Sequence, residues 1–209
     1  MTDPRTALRE GAHAILRERL GDWQVDLFWN YLEVLREWNR VHRLVGSSEV
    51  AWLVENVVLD SLLFLRVLPA CFGSVLDVGS GAGIPGIPIK IVRPKVELVM
   101  AESRRTRASF LATAVRRLGL VSASVVHGRA EAMIERKRRF DVAVARCAGS
   151  PGTVLDLGSR LVRSGGMVVV SGDPSARGVP GARAVQVPNP ATGALRNFLV
   201  LHAGEHQLD

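Results

Sequence analysis

The sequence predicts an α/β protein with a mostly parallel, doubly wound sheet of seven strands and a helical cap at its N-terminus. Three observations predict this fold. From Ser74 onward, short apolar runs typical of buried strands alternate with segments of helical length. A glycine-rich turn joins the first of these runs to the segment that follows. The preceding residues have helical periodicity, so we expect a cap over 1–70 and an α/β domain over 71–209.

The cap is predicted to contain three or four helices. The first covers 4–20 and ends at Gly21, and Asp22 caps the second. Further helices occupy 49–68 and end at Pro69. Apolar and aromatic residues recur at helical spacing in the second helix, a stripe more typical of a core than of a ligand site: Phe28, Tyr31, Leu32, Leu35 and Trp38.

The α/β part is predicted to alternate strands and helices, and to close with an antiparallel hairpin around Asn189-Pro190. The predicted strands are 74–78, 96–101, 123–127, 140–145 and 167–171, and the hairpin pairs 182–187 with 197–202. The predicted helices are 84–92, 104–118, 131–136 and 154–162. Alternation at this spacing is typical of a parallel sheet with helices on both faces.

Composition excludes several classes of protein. The chain has 209 residues, of which 47% are hydrophobic and 22% charged, as in ordinary globular proteins. Its first 21 residues are charged throughout, and no apolar run approaches the ~20 residues of a membrane span. Two cysteines, Cys71 and Cys147, give neither a disulfide framework nor a metal quartet. We therefore expect a cytoplasmic protein without a metal or membrane contact, and a monomer.

Positive charge is concentrated in the α/β part. Residues 1–70 carry 8 basic and 10 acidic side chains, whereas residues 71–209 carry 19 and 10. This asymmetry favours a polyanionic partner, with nucleic acid first. The alternative is compositional bias, because 24 of the 27 basic residues are arginine.

The glycine-rich turn lies in the stretch Val75–Gly86, which reads VLDVGSGAGIPG. A dinucleotide-binding loop needs glycine at the sixth position from Gly79, where this chain has Ile84. The glycines instead alternate as Gly79, Gly81 and Gly83, two residues after Asp77. This pattern resembles motif I of class I methyltransferases, which bind S-adenosylmethionine. A glycine-rich turn in another doubly wound protein is the alternative.

Further candidate residues follow the next strands, because ligands bind at the carboxyl ends of strands in open α/β sheets. Glu102 is placed to accept hydrogen bonds from ribose hydroxyls, or else is an acid favoured by a helix dipole. Ala130 and Glu131 are placed near the adenine edge. Arg146 is either a fixed cation near the cofactor carboxylate or an RNA phosphate, or part of a surface ion pair.

Cys147 invites comparison with enzymes that methylate cytosine at carbon through a cysteine thiolate. Those enzymes usually place the cysteine after proline, whereas Cys147 follows Arg146. A small packing residue is therefore the preferred interpretation. The Asn- or Asp-Pro-Pro-aromatic run of enzymes that methylate exocyclic amines is absent from the sequence.

Three segments resemble the glucose-inhibited division protein B family: VLDVGSGAGIPGIPIKIVRP, GRAEAM and FDVAVARCA. These bacterial enzymes methylate guanine N7 in small-subunit ribosomal RNA. The resemblance covers about 25–172 and includes Trp38-Asn39 and Leu59-Asp60-Ser61-Leu62. It implies S-adenosylmethionine as cofactor, ribosomal RNA or the small subunit as partner, and cofactor contacts at Gly79, Ile84, Ala130, Glu131 and Arg146.

Two arginine-rich clusters are candidates for contacts with RNA phosphates, with a solvated face as the alternative for each. The first belongs to one predicted helix: Arg104, Arg105, Arg107, Arg116 and Arg117. The second is a continuous run: Arg136, Lys137, Arg138 and Arg139.

The chain departs from the family pattern in three segments: Arg43-Leu44-Val45 for Asn-Leu-Thr, Val57-Val58 for Arg-His, and Ser171-Gly172 for Lys-Gly. We interpret these positions as belonging to the acceptor side of the site. They leave open a diverged cofactor-binding or RNA-binding homologue with weak or altered methyl transfer. A small-molecule methyltransferase is a third possibility, which the basic C-terminal part disfavours.

Overall fold

A computed structural model describes residues 3–135, 137–146, 149–172, 180–190 and 192–204. Its seven-stranded sheet has the order β3-β2-β1-β4-β5-β7-β6. The first five strands run parallel, and β7 and β6 are antiparallel additions at one side. The α/β fold with a mostly parallel seven-stranded sheet is therefore confirmed.

The strands agree closely with the predicted segments. They are β1 (Ser74–Val78), β2 (Glu97–Glu102), β3 (Ala123–His127), β4 (Phe140–Arg146), β5 (Val162–Ser171), β6 (Arg183–Pro188) and β7 (Leu195–His202). The largest difference is β5, which begins five residues before the predicted start. Its early part includes Gly165-Gly166, which the sequence pattern indicated as a turn.

The helices of the α/β part are α5 (Gly86–Val92), α6 (Arg105–Arg117), α7 (Ala132–Glu135) and α8 (Pro151–Ser159). The cap contains α1 (Pro4–Leu16) and α2 (Asp22–His42). A longer helical segment follows, made of α3 (Val50–Leu53), a π-helical turn (Val54–Leu59), α4 (Asp60–Leu62) and a 3₁₀ turn (Leu63–Arg66).

The first helix is shorter than predicted. It ends at Leu16 rather than at residue 20 because Arg17 adopts a left-handed conformation with φ of 63°. The N–H of Arg17 donates back to the carbonyl of His13, which closes the last turn. Arginine is not a residue that signals this conformation in a sequence, so the pattern extended the helix to Gly21.

The two faces of the sheet have separate hydrophobic cores. Alternation along each strand sends one set of side chains to each face. On one face, the strands share a continuous core with the cap helices, α5 and α6. On the other face, the strands pack against α7 and α8. The cap is thus built onto one face of the sheet through a shared apolar interior.

None of the helices in the described part of the chain combines the length and the apolar composition that a transmembrane segment needs.

Candidate functional site

The candidate site lies at the edge of the sheet where β1 to β5 end, which we call the carboxyl edge. Strand β1 lies between β2 and β4, so the chain order reverses at β1. The connections after β1 and β4 leave the sheet in different directions at such a switch point, which opens a crevice there. The glycine-rich loop between β1 and α5 begins at this position.

Backbone conformation explains the three alternating glycines of this loop. Gly79, Gly81 and Gly83 have φ of 68°, 57° and 81°, a region that side chains with Cβ disfavour. The N–H groups of Gly83 and Ile84 donate to the carbonyl of Ser80 at 2.7 and 3.1 Å. The loop therefore folds into a compact turn directly before α5.

Two buried carboxylates at the ends of the strands accept hydrogen bonds from the backbone N–H groups of the loop and of the start of α5. The N–H of Gly86 donates to Asp77 Oδ2 at 2.9 Å, and the N–H of Gly81 donates to Glu102 Oε2 at 2.9 Å. Glu102 Oε1 also accepts from the N–H of Arg104 at 2.8 Å, so Glu102 joins the loop to the start of α6. Strand alternation points both carboxylates toward the cap side of the sheet.

Asp77 is fully buried, and its Oδ1 has no hydrogen-bond partner among the described residues. Burial raises the pKa of Asp77 to about 7. The negative charge of the nearby Glu102 also raises this pKa, whereas the hydrogen bond from Gly86 lowers it. Near neutral pH the carboxyl group is thus close to the point where it gains a proton.

A cleft of about 230 Å³ opens beside the loop and brings together Gly79, Ala130 and Glu131. Ala130 is buried and Glu131 is exposed. The helix α8 supplies one wall through residues that sequence analysis missed: Thr153, Val154 and Leu157. The order of the elements could have indicated these residues, because α8 follows β4 and therefore begins at the carboxyl edge.

The other predicted cofactor residues lie around the loop rather than along this cleft. Gly81 and Gly83 shape the loop, and the half-buried Ile84 packs its side chain against the core of the cap side. Glu102, only 4% exposed, lies beneath the loop. Arg146 ends β4, whose residue Val144 pairs with Asp77, so it lies next to the loop but points toward the cap.

Arg146 is held by the cap. Its guanidinium contacts Asp60 Oδ2 at 3.1 Å and donates to the carbonyl of Asn56 at 2.9 Å. Arg196 of β7 reaches the same Asp60 oxygen at 2.7 Å. The side chains of Asp60, Arg146 and Arg196 are 15%, 17% and 29% exposed. Arg146 therefore forms an ion pair, which the sequence analysis gave as the alternative to a role beside the cofactor or an RNA phosphate. The pair is largely buried, however, and not on the surface.

The π-helical turn contributes to this arrangement. Its i to i−5 bonding, with the N–H of Asp60 donating to the carbonyl of Glu55, widens the helix before α4. Asn56 within this turn and Asp60 directly after it both present acceptors to Arg146. Irregular helical geometry thus places two acceptors at the end of β4.

Replacing Asp60 with asparagine is expected to destabilise the fold by about 2 kcal/mol. The substitution leaves two largely buried guanidinium groups without their shared anion, which is costly in a weakly solvated setting. Urea denaturation measures the change. Asp26→Asn is the matched control, since its pair with Arg5 is exposed and should contribute little. Equal losses in the two variants would contradict the expectation.

The structure divides the first arginine cluster between two edges of the sheet. Arg104, Arg105 and Arg107 lie at the start of α6, on the carboxyl edge, where a Cβ on Gly81 would be 3.6 Å from Arg107 Nη1. The helix rises about 20 Å along its 13 residues. Arg116 and Arg117 therefore lie far from the loop, and Arg117 pairs with Glu37 of α2.

The second cluster lies on the opposite edge, where the parallel strands begin. Lys137, Arg138 and Arg139 directly precede β4, and Arg138 pairs with Glu97 at the start of β2 at 2.6 Å. Arg136 lies outside the described residues. The described part of this cluster is thus separated from the candidate site by the length of the sheet.

The cap also contacts the glycine-rich loop directly. Tyr31 of α2 is fully buried, as predicted for the aromatic stripe, and its hydroxyl donates to the carbonyl of Ala82 at 2.7 Å. Burial raises the pKa of Tyr31 well above its ordinary value, as does the nearby Asp77, whereas Arg146 lowers it. Sequence analysis missed this role, although a hydroxyl within an apolar stripe signals a hidden partner.

The positions that depart from the family pattern are mostly buried. Val57 and Val58 face the core, which does not support their interpretation as part of the acceptor side. Ser171 is also buried, at the end of β5. In the segment 43–45, Arg43 is exposed and Leu44 is buried. Cys147 lies outside the described residues.

The fold is Rossmann-like and resembles that of several methyltransferases of known structure. The precorrin-6y C5,15-methyltransferase of Geobacter metallireducens GS-15 has a similar fold, with a TM-score of 0.53 at 14% identity over 77% of this chain and 90% of that one. At this identity the likeness concerns the fold alone.

Sequence comparison is more specific. The family model described as rRNA small subunit methyltransferase G matches residues 24–177. A relative with that name in Mycoplasma capricolum is 34% identical over 70% of this chain and 63% of its own length. Another in Acetivibrio thermocellus is 33% identical over 79% and 69%. The chain belongs to the rRNA small subunit methyltransferase G family, and it spans about two thirds of these relatives' length.

Proposed function

We propose that the chain transfers a methyl group from S-adenosylmethionine to N7 of a guanine in small-subunit ribosomal RNA. The glycine-rich loop at the switch point, held by Asp77 and Glu102, is the observation that carries the proposal. Membership of the family supports the class of substrate.

The residues at the carboxyl edge fit the cofactor. A carboxylate offers about four acceptor sites, and Glu102 uses two of them for Gly81 and Arg104, which leaves acceptors for ribose hydroxyls. The cleft beside Ala130 and Glu131 combines apolar walls with a carboxylate, as an adenine with its amino group requires. Gly79, Gly81, Gly83 and Ile84 would hold the methionine end.

S-adenosylmethionine supplies, when bound, an activated methyl group on a sulfonium. Guanine N7 already carries a lone pair, so the chain needs no general base to remove a proton. Its residues have to orient the base and exclude water, and most of the rate enhancement then comes from proximity. A carboxylate near the base would stabilise the positive charge that develops there.

The charge distribution supports RNA contact at the carboxyl edge. Arg104, Arg105 and Arg107 lie beside the loop and would neutralise phosphates near the target base. Arg146 would act next to the incoming base while Asp60 holds it. The clusters at Arg116–Arg117 and Lys137–Arg139 would contact only RNA that wraps around the molecule. We further propose that the protein acts as a cytoplasmic monomer.

Replacing Glu102 with glutamine is expected to weaken binding of S-adenosylmethionine about tenfold or more. The amide nitrogen takes the place of one carboxylate oxygen, so either the N–H of Gly81 or that of Arg104 loses its acceptor, and the neutral amide oxygen is a weaker acceptor for the ribose. Isothermal titration calorimetry measures the change. Glu97→Gln is the control, because Glu97 lies on the same strand at the opposite edge. Equal affinities for the Glu102 variant and wild type would contradict the assignment.

The acceptor is tested by tritium transfer from labelled S-adenosylmethionine to naked ribosomal RNA, assembled small subunits and a metabolite pool. If the labelled RNA is cleaved at the labelled nucleotide by treatment with borohydride and then aniline, that nucleotide is 7-methylguanosine. Label in the metabolite pool alone would support a small-molecule methyltransferase. Cofactor binding without transfer to any acceptor would support a diverged homologue.

A further inference from the structure

We propose that Tyr31 is a positioning residue of the cofactor site, through which the cap fixes the conformation of the glycine-rich loop. The inference rests on the proposed binding of S-adenosylmethionine to that loop. It assigns to the cap a part in the cofactor site, in addition to its part in the hydrophobic core.

The loop has little conformational preference of its own. Gly81 and Gly83, on either side of Ala82, both have positive φ, and glycine adopts many other conformations at small cost. Apart from the two bonds within the loop to the Ser80 carbonyl, the loop therefore depends on outside contacts for a single conformation. Asp77 and Glu102 supply such contacts from the sheet side, to the N–H groups of Gly86 and Gly81.

The hydroxyl of Tyr31 supplies a contact from the cap side. It donates to the Ala82 carbonyl at 2.7 Å, across 51 residues of sequence. Ala82 is buried at 3% exposure, so its carbonyl has little access to water. Without the hydroxyl, that carbonyl would lose a partner at a place where water cannot readily substitute.

Tyr31 is itself held in a fixed position. The helix α2 lies against α5, where Gln24 Nε2 donates to the carbonyl of Ile91 at 3.2 Å. Trp38 of α2 packs edge-on against Phe110 of α6, with ring centroids 5.8 Å apart. These contacts on both sides of Tyr31 fix α2 relative to α5 and α6. The hydroxyl therefore acts as a rigid anchor for the loop.

The test compares Tyr31→Phe with Ser61→Ala. Each variant removes one buried hydroxyl that donates to a backbone carbonyl of the cap side and leaves the rest of the side chain nearly unchanged. The Ser61 hydroxyl donates to the carbonyl of Val57 within the cap, and among the described residues it makes no hydrogen bond to the loop. Both are expected to fold and to lose some thermal stability.

Only Tyr31→Phe is expected to change the cofactor site. Its Kd for S-adenosylmethionine should rise about tenfold, which corresponds to one buried hydrogen bond. The KM for S-adenosylmethionine should rise in parallel, with kcat unchanged within about twofold. Without cofactor, the amides of Gly81, Gly83 and Ile84 should exchange hydrogen about tenfold faster than in wild type or in Ser61→Ala.

Hydrogen exchange separates this inference from the proposed function. If wild type failed to bind S-adenosylmethionine, the proposed function would fall, while faster exchange at the loop amides of Tyr31→Phe would still support the anchor. Unchanged exchange at these amides would overturn the anchor, whatever the affinity of wild type. A purely structural tyrosine would lower the Tm without changing either Kd or loop exchange relative to Ser61→Ala.

Discussion

Replacing Gly83 with alanine is expected to lower the free energy of unfolding by about 3 kcal/mol or more. A Cβ there would collide with Ile87 Cδ1, and it would lie 2.8 Å from Ile87 Cγ1 and 3.2 Å from Leu111 Cδ2. The residue also has φ of 81°, which costs about 1–2 kcal/mol for a side chain with Cβ. Crowding in a packed interior adds about 1–3 kcal/mol. Urea denaturation followed by circular dichroism measures the loss.

Gly119 separates the two causes. Its φ of 60° lies in the same left-handed region as the 81° of Gly83, but a Cβ there would meet no atom within 4 Å. Gly119→Ala should therefore lose only the conformational part, about 1 kcal/mol. Equal losses of unfolding free energy in the two alanine variants would contradict this expectation. They would mean that Ile87 and Leu111 can move away from the new Cβ without a cost in stability.

The sheet could be predicted from the sequence because its signals are local. The strands β1 and β3 have the predicted bounds, since each is a short apolar run between turn residues. The loop could be predicted because glycine at alternate positions reports positive φ directly. The class of fold and the position of the candidate site followed from these two features.

The contacts that complete the site could not be predicted in the same way. Arg146 and its partner Asp60 are 86 residues apart, and Tyr31 is 51 residues from Ala82. The π-helical turn was hidden, because six apolar-rich residues fit a period of 3.6 and a wider helix equally well. Alternation along β4 did carry one unused signal, since it places Arg146 on the face of Val142 and Val144, toward the cap.

Replacing Asp77 with asparagine is expected to remove a large pH dependence of stability. Burial raises the pKa of Asp77 to about 7 in the folded chain, against an ordinary value of 3.8. Between these values the folded state holds a proton that the unfolded state has released, so stability falls as the pH rises through this window and levels off above about 7. The total is on the order of 4 kcal/mol, at 1.36 kcal/mol for each pKa unit.

The informative quantity is the difference between the two pH profiles, because asparagine has a cost of its own. Its amide nitrogen would take a buried position where Oδ1 of Asp77 has no described partner, which lowers stability equally at every pH. Chemical denaturation between pH 4 and pH 8 should therefore give a wild-type profile that falls relative to Asp77→Asn. Asp26→Asn, at an exposed ion pair, should keep the wild-type slope. Parallel profiles for wild type and Asp77→Asn would mean that Asp77 stays ionised throughout, and that the bond from Gly86 outweighs burial in setting its pKa.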